Sequence, residues 1–233
     1  MDVGGLIGAA GADTEVVDSS ADAEIQYRKA RPPIEAMNAQ LIGACKSGDL
    51  AVATKLVEMG ADVNAEHSSG TALSAALAHK HIDIARMLLL HGADANETVT
   101  ALPLLITAIH RDEPAQVTLL LDYGADVDAI PKKGLKPLAF ACLGGKTDIA
   151  TLLIEHDADV NGRVRDGFTP LMAAAYAGHI DAVRLLIERG ADVNICNGSN
   201  ETALTLAKAE GNTDVVQMLL DANAKTGAED ADP

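Results

Sequence analysis

The chain has 233 residues and a formal net charge of −16 at neutral pH, which argues against binding a nucleic-acid backbone, a task that needs clustered Lys and Arg. Aromatic residues make up only 2% of it, with no Trp, two Phe and three Tyr, so a core must be built from Leu, Ile, Val, Ala and Met in close packing. No apolar run approaches the roughly 20 residues that cross a bilayer, and membrane insertion is not expected.

Residues 1 to 24 are rich in Gly, Ala and acids, with too little apolar surface to offset the entropy of ordering. Residues 1–34 are therefore read as a mobile acidic tail ending in a possible cap segment. Asp2 stands where a leader would carry positive charge, so neither a secretion signal nor a transit peptide is expected. Ile25 to Ile34 carries Arg28, Lys29 and Arg31 around Pro32-Pro33. That segment either covers the first structural layer, as the end of a stacked array requires, or carries a binding motif.

From about residue 35 the string Gly-Ala-Asp-Val-Asn returns at a fixed period. Gly60, Gly92 and Gly124 are 32 residues apart, and Asp157, Gly190 and Asn223 follow at steps of 33. Self-similarity of this length marks a stack of repeated units, here about 35–66, 67–98, 99–131, 132–164, 165–197 and 198–225. The first has Lys55 in its leucine row and the sixth has Lys208 in its alanine row, so these two read as caps. The third diverges most, with Pro103 in place of Thr, a shortened loop bearing Val99 and Leu102, and Asp112-Glu113-Pro114 in place of Gly-His-Ile. Pro114 suits the first turn of a second helix.

The fifth unit is the most complete. Thr169 is suited to cap a first helix and Pro170 to open it. Leu171, Ala174 and Ala175 then face the neighbouring units. Gly178 and Gly190 suit the left-handed conformation that ends a helix, and between them Ile180, Val183, Leu185 and Leu186 recur at helical spacing. At the last turn Asn223 tolerates the left-handed region almost as well as Gly, whereas Asp157 is the weaker substitute. Residues 226–233 form an acidic C-terminal tail.

The Thr-Pro-Leu, Gly-His and Gly-Ala-Asp-Val-Asn elements, in this order and spacing, resemble the ankyrin repeat over about residues 35 to 225. The resemblance implies an all-α solenoid of about six helix-turn-helix repeats with β-hairpin-like loops. It also implies a non-catalytic protein–protein interaction module, a scaffold or adaptor subunit that binds a partner protein through the concave groove and loop tips. The alternative is a soluble regulator that reversibly binds an enzyme or signalling protein. An enzyme is the remote alternative, because no nucleophile elbow, phosphate loop or zinc-protease motif is present. The family's His after Thr-Pro-Leu is replaced by Ser74, Ile106, Ala139, Met172 and Thr205, so its hydrogen bond to Thr is expected to be missing, with a modest loss of local stability.

By that resemblance, partner contacts come from loop tips and from the exposed ends of first helices. The third unit offers His110 and Arg111. The fourth offers Ile130, Pro131, Lys132, Lys133 and Leu135 on its loop and Leu143 at its helix end, and the fifth offers Arg163, Val164, Arg165, Phe168 and Tyr176. These define a predicted groove on repeats 3–5, with Phe168 and Tyr176 as anchors and the cations steering a partner that has an apolar patch and acidic residues. In the competing view, Phe168 and Leu135 cover the flank of a neighbouring repeat and the cations balance local acids. A further possibility is that the acidic tail folds onto Lys132, Lys133, Arg163 and Arg165. The family also implies Asn194 as a possible site of asparaginyl hydroxylation.

No cofactor is implied. His79, His81, His91 and His110 do not read as a metal site, because His81 and His179 share one position of the repeat and His91 merely precedes a turn glycine. Cys45 and Cys142 also share a position, fifteen residues before the turn, and are expected in the core, while Cys196 falls in a loop. Three cysteines without metal-like spacing fit a reducing compartment, hence an intracellular, cytoplasmic protein. On its own the chain is expected to be a monomer or a subunit of a hetero-complex. The Asp residues of each Ala-Asp turn are expected to hydrogen-bond locally.

Overall fold

The computed structural model describes residues 32–67, 70–99, 101–131 and 134–225, apart from the Arg165 side chain. The expectations for residues 1–31, for Lys132 and Lys133 and for the tail 226–233 lie outside the described residues. Among the described residues, twelve α-helices follow one another in six pairs: α1 (Ile34–Ser47) with α2 (Leu50–Glu58), α3 (Ala72–Ala78) with α4 (Ile82–Leu90), α5 (Leu104–His110) with α6 (Pro114–Asp122), α7 (Pro137–Leu143) with α8 (Thr147–Glu155), α9 (Pro170–Ala177) with α10 (Ile180–Glu188), and α11 (Ala203–Glu210) with α12 (Thr213–Asp221). A short hairpin of β1 (Thr98–Val99) and β2 (Leu102–Pro103) precedes α5.

The period becomes a core because the same apolar position is filled six times over. Leu41, Leu73, Leu105, Leu138, Leu171 and Leu204 form one buried column through the first helices, and Leu56, Leu88, Leu120, Leu153, Leu186 and Leu219 form a second column through the second helices. Cys45 and Cys142 are fully buried at their shared position, as is Ala175 at the equivalent place. Single helices of seven to nine residues are unstable alone in water, so each pair depends on burying these faces against the next.

The first helices begin on threonine caps where the sequence provides them. Thr71, Thr169 and Thr202 accept from the backbone N–H three residues on. The expected loss of reciprocal bonding at this position is corrected in two repeats. The Ser74 hydroxyl accepts from Thr71 N–H at 2.9 Å and the Thr205 hydroxyl accepts from Thr202 N–H at 2.8 Å, which closes a capping box with each threonine. A short hydroxyl reaches back as well as an imidazole would. Helices α5 and α7 start after Pro103 and Lys136 with no side-chain cap.

The junction between the helices of a pair is where each repeat meets the one before it. Gly48, Gly145 and Gly178 end or follow first helices at positive φ, and a side chain of the next repeat lies directly over each. A Cβ there would sit 2.5 Å from the His81 ring, 2.7 Å from the His179 ring and 2.7 Å from the Asn212 amide. Those side chains donate to helix-end carbonyls: His81 Nε2 to Lys46 (3.3 Å), His179 Nε2 to Leu143 (3.1 Å) and Asn212 Nδ2 to Ala175 (2.9 Å). Where Lys80 and Asp112 replace the glycine, still at positive φ, an ion pair takes over. Lys80 pairs with Glu113, and Asp112 pairs with Lys146 at 3.3 Å. The divergent third repeat is thus joined by charge on both sides, with the buried Gln116 adding a bond from its amide to the Leu77 carbonyl at 3.0 Å.

A second set of bonds ties the turns together. Asn64 donates to the Gly92 carbonyl and accepts from Asp94 N–H, both at 2.9 Å. Asn96 does the same to Gly124 and Asp126, at 3.1 and 2.7 Å, and Asn161 to Gly190 and Asp192, at 3.4 and 2.8 Å. Within each of the first five turns the Asp carboxylate accepts from the N–H two residues on, as expected. Among the described residues the step from the fifth to the sixth repeat keeps the accepting half of the bridge, Lys225 N–H to the Asn194 side-chain oxygen at 2.7 Å, and the step from the third to the fourth lacks the bridge. There Asp128 replaces Asn, has no amide N–H to donate, and faces Lys136 at 3.5 Å instead.

Among the described residues α1 stands at the N-terminal end of the stack and starts about two turns earlier than the other first helices. Met37 is buried, and Asn38 Oδ1 accepts from Asp62 N–H at 2.8 Å, which fills the role of an asparagine from a preceding repeat. Of the cap segment proposed from the sequence, Pro32 to Ile34 are described, and Ile34 is 49% exposed.

First helices of the last three repeats pack more closely than the second helices behind them, so this part of the stack curves with the first-helix row on its concave side. Small side chains allow that approach: α9 carries Pro170, Ala173 and Ala177 where α5 and its C-cap carry Leu104, Thr107 and Arg111. The bulkier α5 stands off from α3, and a cleft opens between them.

Two outcomes follow from the turns. Asp157 is exposed at φ 66°, so Asp157→Gly is expected to stabilise the protein by about 1 kcal/mol by removing the left-handed penalty, read as a higher urea midpoint. Asp128→Asn is expected to add about 1 kcal/mol by completing the missing bridge, more than the partly exposed ion pair it gives up; a lower midpoint would contradict the role assigned to these amides.

Candidate binding face

One position of the repeat lines the concave side. At the end of each first helix it is occupied in turn by Lys46, Ala78, His110, Leu143, Tyr176 and Ala209, all of them exposed. The next position carries His79, Arg111 and Glu210 among others, again exposed. Lys46, Arg111 and two histidines therefore occupy the N-terminal half of the row, apolar groups the middle, and Glu210 the far end.

The structure brings together some of the sequence-predicted residues and separates others. His110, Arg111, Leu143 and Tyr176 are on this row, with Leu143 36% and Tyr176 46% exposed. Phe168 and Leu135 are half-buried and pack against the core, so they support the loops from beneath. Phe168 is fixed further by its carbonyl, which accepts from Val164 N–H at 3.1 Å. Pro131 is buried beside Ile130, which is 60% exposed. Arg163 is exposed, and Arg165 begins a short 3-10 turn, its side chain lying outside the description together with Lys132 and Lys133.

Sequence reasoning missed Phe140. It is half-buried on α7, and its ring centroid lies 6.1 Å from that of His110 at a tilt of 49°, a geometry within the favourable range for ring pairs. It links the fourth repeat to His110 of the third. A helical count of positions in α7 places Phe140 three residues before Leu143, and that spacing was the available signal.

The other candidates have structural partners. His81 and His179 serve the inter-repeat bonds above, and His91 Nδ1 donates to the Met87 carbonyl at 2.8 Å. Asn194 is exposed, and its side-chain oxygen accepts from Lys225 N–H at 2.7 Å, which ties the last turn to the stack. The Glu97 carboxylate is half-buried and accepts from the Thr71 hydroxyl; burial holds its pKa above the usual range against the opposing effect of that bond.

An ankyrin-repeat family profile matches residues 41–131, 104–197 and 162–230, which together span most of the chain. The chain belongs to the ankyrin repeat family. It is also similar to the ankyrin repeat domain of human ASB11, seen in a crystal structure, at 26% identity and a TM-score of 0.66, over 85% of this chain and 88% of that one. Ankyrin repeats generally serve as protein–protein interaction modules, typically without catalysis. Among the described residues no helix is long and apolar enough to cross a membrane.

Burial pushes the Cys45 thiol up to about 11 and the Cys142 thiol up to about 12. Both pKa values lie above the ordinary 9.0, so the stability these neutral thiols confer is full below pH 9 and is lost as pH rises through about 11 and 12. At pH 8 iodoacetamide is expected to label only Cys196 in the native protein and all three cysteines in urea, as counted by mass spectrometry. Native labelling of Cys45 or Cys142 would contradict the packing of the first-helix row.

Proposed function

We propose that this ankyrin repeat protein is a non-catalytic scaffold or adaptor subunit that binds a partner protein across the concave face of repeats 3–5. The observation that carries this is the run of exposed side chains at one repeated position, where Leu143 and Tyr176 follow His110 on adjacent helices whose other faces are consumed by the core. Apolar groups held on rigid elements and bordered by charge make a favourable anchor, since little side-chain or backbone freedom remains to be lost on binding.

In this proposal Tyr176 and Leu143 are the anchors and Phe140 supports His110 from the side. Phe168 and Leu135 act indirectly by holding the loops. Arg163 attracts an acidic border on the partner and governs the association rate more than the lifetime of the complex, and Arg111 stands on the row itself. Three free cysteines, two of them buried, fit action in the reducing cytoplasm.

The test is capture of stoichiometric partners on tagged protein from its native source, followed by affinity measurement with the purified partner. Leu143→Ala and Tyr176→Ala are each expected to cost about 2 kcal/mol, roughly thirtyfold in Kd, with circular dichroism unchanged because both side chains are exposed. Arg184→Ala, on the outer helix α10, is expected to have no effect. Equal binding by all three variants would place the interface elsewhere.

A further inference from the structure

The cleft between α3 and α5 has a volume of about 170 Å3. Ala75 and Ala78 form one wall, Leu104 and Ala108 the other, and Lys46, His79 and Arg111 stand around it. It exists because the bulkier α5 cannot close on α3 as α9 closes on α7, and Gln116 helps to fix the separation by bonding across to the Leu77 carbonyl. The volume is close to the roughly 150 Å3 apolar cavity that can hold benzene, so one leucine- or phenylalanine-sized side chain fits.

The charge around the opening selects the kind of chain that would bring such a side chain. The protein carries a net −16, yet Lys46 and Arg111 both line this cleft and are exposed. The neighbouring carboxylates are already engaged, Glu113 by Lys80 and Asp112 by Lys146. Arg111 makes no ion pair among the described residues, so its guanidinium is available to a carboxylate from outside.

We propose that this cleft is an anchor pocket for a segment of the partner protein that inserts one bulky apolar side chain next to an Asp or Glu. The proposal rests on the concave face being the docking side, and it adds a second anchor, two repeats away from Tyr176. The apolar side chain displaces water from the alanine- and leucine-lined walls, and the carboxylate pairs with Arg111.

The test is selection of a random twelve-residue peptide library on the full chain, then fluorescence polarisation of the recovered peptides. Recovered sequences are expected to share Leu, Met or Phe beside Asp or Glu. Ala78→Phe, which fills the cleft from an exposed helix end, and Arg111→Glu, which reverses its charge, are each expected to weaken binding at least tenfold without a change in the melting curve. Substituting the peptide's apolar residue by Ala should do the same. Peptides that lack this pair, peptides indifferent to Ala78→Phe, or no enrichment at all would overturn the proposal. Loss of binding in Tyr176→Ala with none in Ala78→Phe would sink the pocket while leaving the concave-face reading intact. Loss in Ala78→Phe and Arg111→Glu alone would uphold the pocket and move the binding centre away from repeats four and five.

Discussion

No repeat of this protein can bury its apolar face alone, and the bonds that hold one repeat in register on the next are therefore the constraint on which everything else depends. They come in two rows. On the loop side an asparagine side chain donates to the glycine carbonyl of the next turn and accepts from its Asp N–H. On the helix side an imidazole or amide crosses a glycine to reach the carbonyls of the preceding first helix. Each bond adds little by itself, since a protein hydrogen bond has a net worth of about 1 kcal/mol. Their effect is geometric: they fix the distance and angle at which the leucine columns meet, and hence which side chains are left outside the core along the concave row.

The third repeat shows what happens when that chemistry is replaced. Lys80 and Asp112 stand where glycine would admit a crossing side chain, and opposite charges at Glu113 and Lys146 restore the link on each side. The bridge from turn to turn stops at Asp128. Larger side chains on α5 then hold it off α3, and the cleft results. The concave row is consequently uneven, with a cleft beside Lys46 and Arg111 in its first half and exposed apolar side chains in its second. The same substitutions that weaken the regular stack create the surface features a partner can recognise.

Much of this was legible in the sequence because it repeats. The 32- and 33-residue spacing aligned Cys45 with Cys142 and Ala175, and all three are buried; it also assigned left-handed turns to Asp157 and Asn223, where φ is positive. What could not be read were bonds whose partner lies a whole repeat away. Each turn asparagine looks like a local turn residue, and its acceptor is 28 positions further on for Asn64 and Asn96. Gln116 is a single polar residue in an apolar row, and nothing local reveals that it reaches back 39 residues to Leu77. Phe168 and Leu135 were placed on the groove by position in the repeat, but exposure depends on how their loop folds over the core, and both turn inward. Ser74 and Thr205 were judged by the histidine they replace, when hydroxyls complete the same cap.

The central claim is that the concave row is the functional face. The most direct measurement is hydrogen–deuterium exchange of the full chain with and without its purified partner. New protection is expected to be confined to the ends of first helices around residues 78–79, 110–111, 143 and 176 and the adjoining loops, with exchange in α4, α8 and α10 unchanged. Protection concentrated on those outer helices, with the concave ends unaltered, would contradict that claim.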